Sequence, residues 1–319
     1  MKRRDFIVST VGAYMALHIP ASAVIGMKKT VKIGLITDLH QDIMHDGVAR
    51  MKAFLKEMEK EKPDAIMQLG DFAYPGDVNK EVIGLFNKAH PTHLHVIGNH
   101  DTDAGYKKEQ CISYWGMPAR YYARQISGIW FLVLDGNDKG SPTHKGGYPA
   151  YIGQEQTDWL KQKLKEIDGP IIVVSHQPLA GAMAVDNAEE MQDILSSASD
   201  KILISINGHT HVDTLLHSKN VNYLHINSAS YFWVGGNFKH DSYPAGTHQS
   251  HPWISSTCPY KEPLFATMTI DPHSATITIK GQKTTWVGKS PKDLDFSDKA
   301  PLQIDEEIVP YIRNRHIKA

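Results

Sequence analysis

The sequence predicts an α/β fold with an antiparallel edge, and three observations carry the prediction. Short, branched, apolar runs alternate with longer amphipathic ones from residue 31 onward, the pattern of strands and helices alternating around a largely buried sheet. Apolar side chains in the longer segments recur at helical spacing. Near residue 270 two short alternating runs flank a tight polar turn.

Taken in order, the strand candidates are Val31 to Thr37, Ala65 to Gly70, His93 to Gly98, Trp130 to Asp135, Ile171 to His176, Ile202 to Asn207 and Tyr223 to Asn227. Between them, Val48, Met51, Leu55 and Met58 mark one helix face, and Trp159, Leu160, Leu164 and Ile167 another. Leu264 to Ile270 and Ala275 to Ile279 flank Asp271-Pro272-His273-Ser274 and read as a hairpin closing the domain. After about Gly288 the composition turns to Lys, Asp, Ser and Pro, so residues 289–319 are expected as a tail laid over the surface or partly disordered. Residues 27–288 are then the main domain.

The first 26 residues place Lys2, Arg3 and Arg4 before an apolar stretch from Phe6 to Pro20, followed by Ala21-Ser22-Ala23. That order is the order of an export leader. Arg3-Arg4-Asp5-Phe6-Ile7 also resembles a twin-arginine signal, an address for proteins exported already folded. The expected location is extracytoplasmic, as in a bacterial periplasm. No later stretch approaches the roughly 20 apolar residues of a transmembrane helix.

A chain of 319 residues buries a core without staples. Its 34 basic and 35 acidic groups leave a net charge of -1, so no global field gathers polyanions, and long nucleic acid is not expected as a partner. A small anionic substrate fits. Cys111 and Cys258 suit a reduced protein and equally an exported one with a single bridge or none.

Polar residues of metal-ligand type follow the apolar runs directly, in Asp38-Leu39-His40, Gly70-Asp71, Gly98-Asn99-His100-Asp101, Ser175-His176 and Gly208-His209-Thr210-His211. The carboxyl ends of strands in a wound sheet converge on one crevice, which brings these groups together. Asp38 and His40 are two apart in a segment expected to be extended, so both point to the same side and can reach one cation, and His209 and His211 repeat the device. The glycines suit sharp exits from strands or close backbone approach to a ligand. Imidazole nitrogen mixed with carboxylate and amide oxygen suits Zn, Mn or Fe and not calcium. Taken singly, Asp-x-His or Asn-His is ordinary turn chemistry. Their shared order and placement carry the argument.

Together these motifs resemble the full signature of calcineurin-like metallophosphoesterases, over roughly residues 31 to 280. The resemblance implies a four-layer α/β/β/α sandwich of two mixed sheets flanked by helices, with two divalent or trivalent metal ions. One metal would be held by Asp38, His40 and His211, the other by Asn99, His176 and His209, with Asp71 bridging. It also implies hydrolysis of a phosphate ester or anhydride by a hydroxide between metals about 3.5–4 Å apart. His100 would act as general acid beside the leaving group, with Asp101 orienting it. Gly70-Asp71-Phe72-Ala73-Tyr74 also has the Gly-Asp-x-x-Tyr spacing of purple acid phosphatases, whose tyrosinate binds ferric iron. Those enzymes lack a histidine like His40, so Tyr74 is expected to pack nearby.

Tyr121-Tyr122, Trp130 to Asp138 and Gly153-Gln154-x-Gln156-x-x-Trp159-Leu160 are similar to the subgroup that cleaves ADP-ribose and CDP-alcohols, although burial explains much of this stretch. Tyr231, Phe232, Trp233, Phe238, Tyr243, Trp253 and Tyr260 either wall a pocket and stack a base or pack an irregular loop. The expected function is a phosphodiesterase or pyrophosphohydrolase on small, nucleotide-type substrates. The alternatives are an exported phosphomonoesterase and an inactive binding protein on the same fold.

Overall fold

The computed structural model describes Pro20, residues 27–296 and residues 307–318. Apart from Pro20 the expected leader lies outside the described residues. Among the described residues no helix is long and apolar enough to cross a membrane.

Two six-stranded sheets pack face to face. The first contains β1 (Val31–Ile36), β2 (Ala65–Gln68), β3 (His93–His95), β12 (Ala266–Asp271), β13 (Thr276–Lys280) and β14 (Arg315–Lys318), in the order β14-β13-β12-β1-β2-β3. The second contains β4 (Tyr122–Ile126), β5 (Ile129–Val133), β6 (Ile171–Val174), β7 (Ile202–Asn207), β8 (Thr214–Ser218) and β9 (Val221–His225), in the order β4-β5-β6-β7-β9-β8. β1, β2 and β3 are parallel, as are β5, β6, β7 and β9; the outer strands are antiparallel.

Strand alternation assigns the faces. Phe131, Val133, Ile172 and Val174 join the core shared with the first sheet, while Leu132, Leu134, Ile171 and Val173 face the opposite way. There they meet Leu160 and Leu164 of α4 (Gln154–Glu166) and Met191, Ile194 and Leu195 of α5 (Ala188–Ser196). On the first sheet, Met51, Phe54 and Met58 of α1 (Gly47–Glu61) and Val82, Ile83 and Phe86 of α2 (Lys80–Ala89) are buried in the same core cluster as β1 and β2. A Cβ on Gly34 would run into Met58, so β1 lies flush against α1. The layers run helix, sheet, sheet, helix, as expected.

Every expected strand forms, and so do both expected helices. Several elements were not anticipated: the edge strands β4 and β8, the three-residue pair β10 (Tyr231–Trp233) and β11 (Thr257–Pro259), and α2, α3 (Lys108–Trp115), α5 and α6 (Ala245–Ser250). Part of the expected surface tail is instead built into the fold. β14 pairs with β13, and Ile308, Val309, Ile312 and Ile317 are buried. The strand reads as polar because His316 and Lys318 face outward from an edge, while Arg315 shares the inward face with Ile317. Cys111 and Cys258 are both free and buried.

Candidate metal centre

The carboxyl ends of β1, β2 and β3 deliver Asp38, His40, Asp71 and Asn99, and those of β6 and β7 deliver His176, His209 and His211. The structure brings Asp38, His40, Asp71, His176, His209 and His211 to one place, where the two sheets' parallel strands end together, and Asn99 directly precedes His100, whose N–H bonds Asp71. The local backbone is not extended there. Asp38, His40, Asp71, His209 and His211 have φ of 51°, 48°, 50°, 69° and 52°, in the left-handed region. The expected same-side argument for Asp38/His40 and His209/His211 is therefore replaced by a kinked chain. Asp and His are among the non-glycine residues that enter this region most readily, and each such residue costs about 1 kcal/mol or more. Cross-strand bonds hold the kink: Asp38 N–H donates to Gly70 O (3.0 Å) and His40 N–H to Asp71 O (2.9 Å).

Two sets of three side chains emerge, Asp38/His40/His211 and Asp71/His176/His209, each with ligand atoms within 4.8 Å of one another. In the first, His211 Nε2 lies 3.1 Å from Asp38 Oδ1 and 3.2 Å from His40 Nε2. In the second, His176 Nε2 lies 3.1 Å from Asp71 Oδ2 and 3.2 Å from His209 Nδ1. Asp71 Oδ2 is also 3.6 Å from His40 Nε2, so this oxygen stands between the two sets. The other oxygen, Oδ1, accepts from His100 N–H at 2.8 Å. His176 Nδ1–H is directed at Leu69 O (2.8 Å), which frees Nε2 for the site. Asn99 Oδ1 is buried with no hydrogen-bond partner among the described residues, and so is His211 Nδ1. A buried orphan amide oxygen beside carboxylates and imidazoles fits a bound cation, and the donor set suits Zn, Mn or Fe.

Electrostatics prepare the same chemistry. Burial pushes Asp38 up, but His211 and His176 outweigh it and bring the carboxyl down to about 2. Asp71 likewise overcomes burial through His176 and His100 and falls well below the carboxylate range. Burial lowers His40 to about 3, and burial with His176 lowers His209 to about 3, so both imidazoles are neutral. For His176 the Asp71 and Asp38 charges overcome burial and raise it to about 9. Metal loading must displace that proton.

His100 lies beside the centre, its ring 5.2 Å from that of His40. Its expected partner differs. Asp101 accepts from four backbone amides, Gly98 (2.7 Å), Phe72 (2.7 Å), Asp71 (2.9 Å) and Ala73 (3.2 Å), and thereby clamps the β2 and β3 exits together. Asp103 instead receives His100 Nδ1 at 2.7 Å, and the Tyr148 hydroxyl donates to Asp103 at 2.9 Å. Burial pulls the His100 imidazole down, but Asp71 and the bond to Asp103 outweigh it and raise its pKa. The family resemblance implied Asp101; the backbone leaves helical geometry at Asp103 and Ala104, and it is the Asp103 carboxylate that meets the ring.

Tyr74 lines the cleft next to His40, Asp71 and His100, its ring 5.5 Å from Tyr106. Burial, with Asp103 and Asp42, raises its phenol to about 12, as suits a packing residue. In the nucleotide-subgroup segment, Tyr121 packs on Trp159 at 5.0 Å, and Gln156 bonds the backbone of Asp135. Asn137 accepts from Gln177, the neighbour of His176. These residues frame the wall. The later aromatics divide: Tyr260 and Phe232 are buried, Phe238 packs on Phe296, Tyr243 on His45, and Tyr231 stacks on His40 at 4.9 Å.

Several supporting residues carry no motif. Ser228 Oγ donates to Asp38 O (3.0 Å) and Ser230 Oγ to Leu39 O (2.7 Å), pinning the first kink. The buried Arg50 binds Ala229 O and Tyr260 O beneath them. Asp213, two residues past His211, is fully buried and held by Arg313 (2.7 Å) and Arg315 (2.6 Å). Gly70 has φ +101°, and a Cβ on it would enter the His176 ring; one on Gly98 would enter Asp71.

A crystal structure of a dimetal phosphatase from Danio rerio is similar, with TM-score 0.58 and 14% identity over 82% of this chain and 99% of that one. So is GAP50, described as the anchor in the inner membrane complex of Plasmodium, with TM-score 0.52 and 15% identity over 86% and 90%. At these identities the likeness is one of fold. No curated protein matches. The family described as calcineurin-like phosphoesterase matches residues 31–213, more than half of the 319 residues, and with the fold and the paired ligand sets this chain belongs to that family.

Proposed function

We propose that this protein hydrolyses phosphate esters or anhydrides of small molecules, acting as a phosphodiesterase or pyrophosphohydrolase. The single observation that carries the reading is the pair of abutting ligand sets with Asp71 between them and a carboxylate-held histidine at their edge. Asp38, His40 and His211 would hold one cation, and Asn99, His176 and His209 the other, with Asp71 shared. When bound, two such cations supply an activated water and neutralise phosphoryl charge. His100 holds the proton for the departing oxygen, and Asp103 fixes its Nδ1 so that Nε2 is free to give it. Tyr148 caps that pair from the solvent side.

The test is turnover of a bis-aryl phosphate, an aryl monophosphate and a nucleoside diphosphate sugar by metal-reconstituted protein, beside Asp71→Asn and His100→Ala. Loss of about 10²- to 10⁴-fold in His100→Ala with metal content retained is the expected result. Preference for the monophosphate would favour the phosphomonoesterase reading instead. Export rests on the leader alone and is part of the proposal; cell fractionation checks it. The anchor role named for the Plasmodium neighbour motivates the binding-protein alternative, which absence of both turnover and stoichiometric metal would favour.

A further inference from the structure

Tyr231, Trp233 and Trp253 form a contiguous run of rings from the candidate metal centre to solvent. Tyr231 is buried, with its ring centroid 4.9 Å from both His40 and His211. Trp233 lies 6.4 Å from Tyr231, and Trp253 lies 6.4 Å from Trp233. Each step falls within the range of aromatic contact. Residues 231 and 233 share one face of β10 by strand alternation, while Phe232 turns the other way into a cluster with Val212, Cys258 and Ile308. Met44 and Ile254 pack around Tyr231 from the near side.

The outer two rings are unusual in their exposure. The chain has six tryptophans, and four are buried or half-buried. Trp233 and Trp253 are 40% and 59% exposed, and they are neighbours. Burying either ring against an apolar surface is favourable, so leaving two together in water beside a reaction centre calls for an occupant. The run begins on the imidazoles of His40 and His211, so Tyr231 connects the two exposed rings to the candidate centre.

We propose that Trp233 and Trp253, continuing the ring surface of Tyr231, are a specificity subsite that stacks a flat aromatic part of the substrate, a nucleobase or an aryl group. The assignment rests on the phosphoesterase reading above and adds the substrate class to it. Stacking is tolerant of the identity of the ring because every base has a π face. The subsite therefore selects aromatic over aliphatic phosphate esters without choosing one base.

Two phosphodiesters with the same alkyl leaving group test it, one carrying a naphthyl ring on its chain and the other a hydroxyl-terminated chain of equal length, with products followed by phosphorus NMR. Fluorescence quenching by a non-hydrolysable naphthyl phosphonate gives a second readout. In the unaltered chain kcat/KM favours the naphthyl diester, and Trp233→Ala or Trp253→Ala lowers that preference by about 10-fold through KM, with Trp233→Phe retaining most of it. Equal kcat/KM for the two diesters, or equal losses on both in the variants, overturns the subsite while leaving the phosphoesterase reading intact. Quenching that depends on Trp233 in a chain turning over neither diester keeps the subsite and overturns the phosphoesterase reading.

Discussion

The two sheets contribute to the centre in different chemical kinds. The first supplies both carboxylates, the amide, the edge histidine and one imidazole ligand, in Asp38, Asp71, Asn99, His100 and His40, while the second supplies only imidazoles, in His176, His209 and His211. Negative charge thus comes from the first sheet alone and three of the four imidazole ligands from the second, and the site exists only where the two are packed face to face. The histidine raised to about 9, His176, lies 3.1 Å from the first-sheet carboxylate of Asp71, so in the metal-free protein a proton on it occupies part of a cation's electrostatic role.

Substitutions drawn from each sheet should separate the two contributions. Asp71→Asn removes the shared oxygen, so it should lower turnover by more than the about 10²- to 10⁴-fold of a lost general acid and reduce metal in both half-sites; His209→Ala should deplete one half-site only. Elemental analysis with turnover on the same samples checks this, and equal depletion by the two variants would break the comparison.

A smaller effect belongs to the first sheet alone. Asp103→Asn leaves metal content unchanged and lowers kcat by about 10- to 100-fold, the usual worth of a partner that orients a functional imidazole. An unchanged kcat would return the orienting role to another group.

Each sheet also buries one histidine outside the centre, His95 at β3 and His225 at β9. Burial depresses both: His225 goes from 6.5 to about 4 against the opposing pull of Ala180 O, and His95 lies well below its ordinary value through burial and His93. The unfolded chain takes up these protons first as pH falls. Stability is therefore whole above about 6.5 and is lost progressively toward about 4. Between pH 7.5 and 5 the His225 share is about 2 kcal/mol, read from denaturant midpoints, and His225→Gln should flatten the loss.

The smallest expected effect is Arg315→Gln. Because Arg313 still faces Asp213, the cost is about 1 kcal/mol in denaturant unfolding, with metal lost preferentially from the half-site containing His211.

Much of this was legible in the sequence because the ligand candidates follow buried apolar strands, where composition and position reinforce each other. Asp71, His176 and His211 stand where their motifs placed them. The residues that orient them were not legible. Asp103 sits past a kink that no spacing rule announces, and Ser228 and Ser230 look like loop filler until their hydroxyls are found on the backbone of Asp38 and Leu39. Strand β14 escaped notice because His316 and Lys318 are exposed and Arg315, though turned inward to Asp213, is charged. Even the correct pairing of Asp38 with His40 had the wrong reason, an extended chain in place of a left-handed one.

The grip of Arg313 and Arg315 on Asp213 has a consequence for the order of assembly on the ribosome. Arg313 follows Asp213 by 100 residues, so at about 5–20 residues per second the clamp emerges about 5–20 seconds after the histidine loop it steadies. During that interval Asp213 lacks both arginines, so the loop that carries His209 and His211 reaches its clamped form only once the closing strand of the opposite sheet has been synthesised.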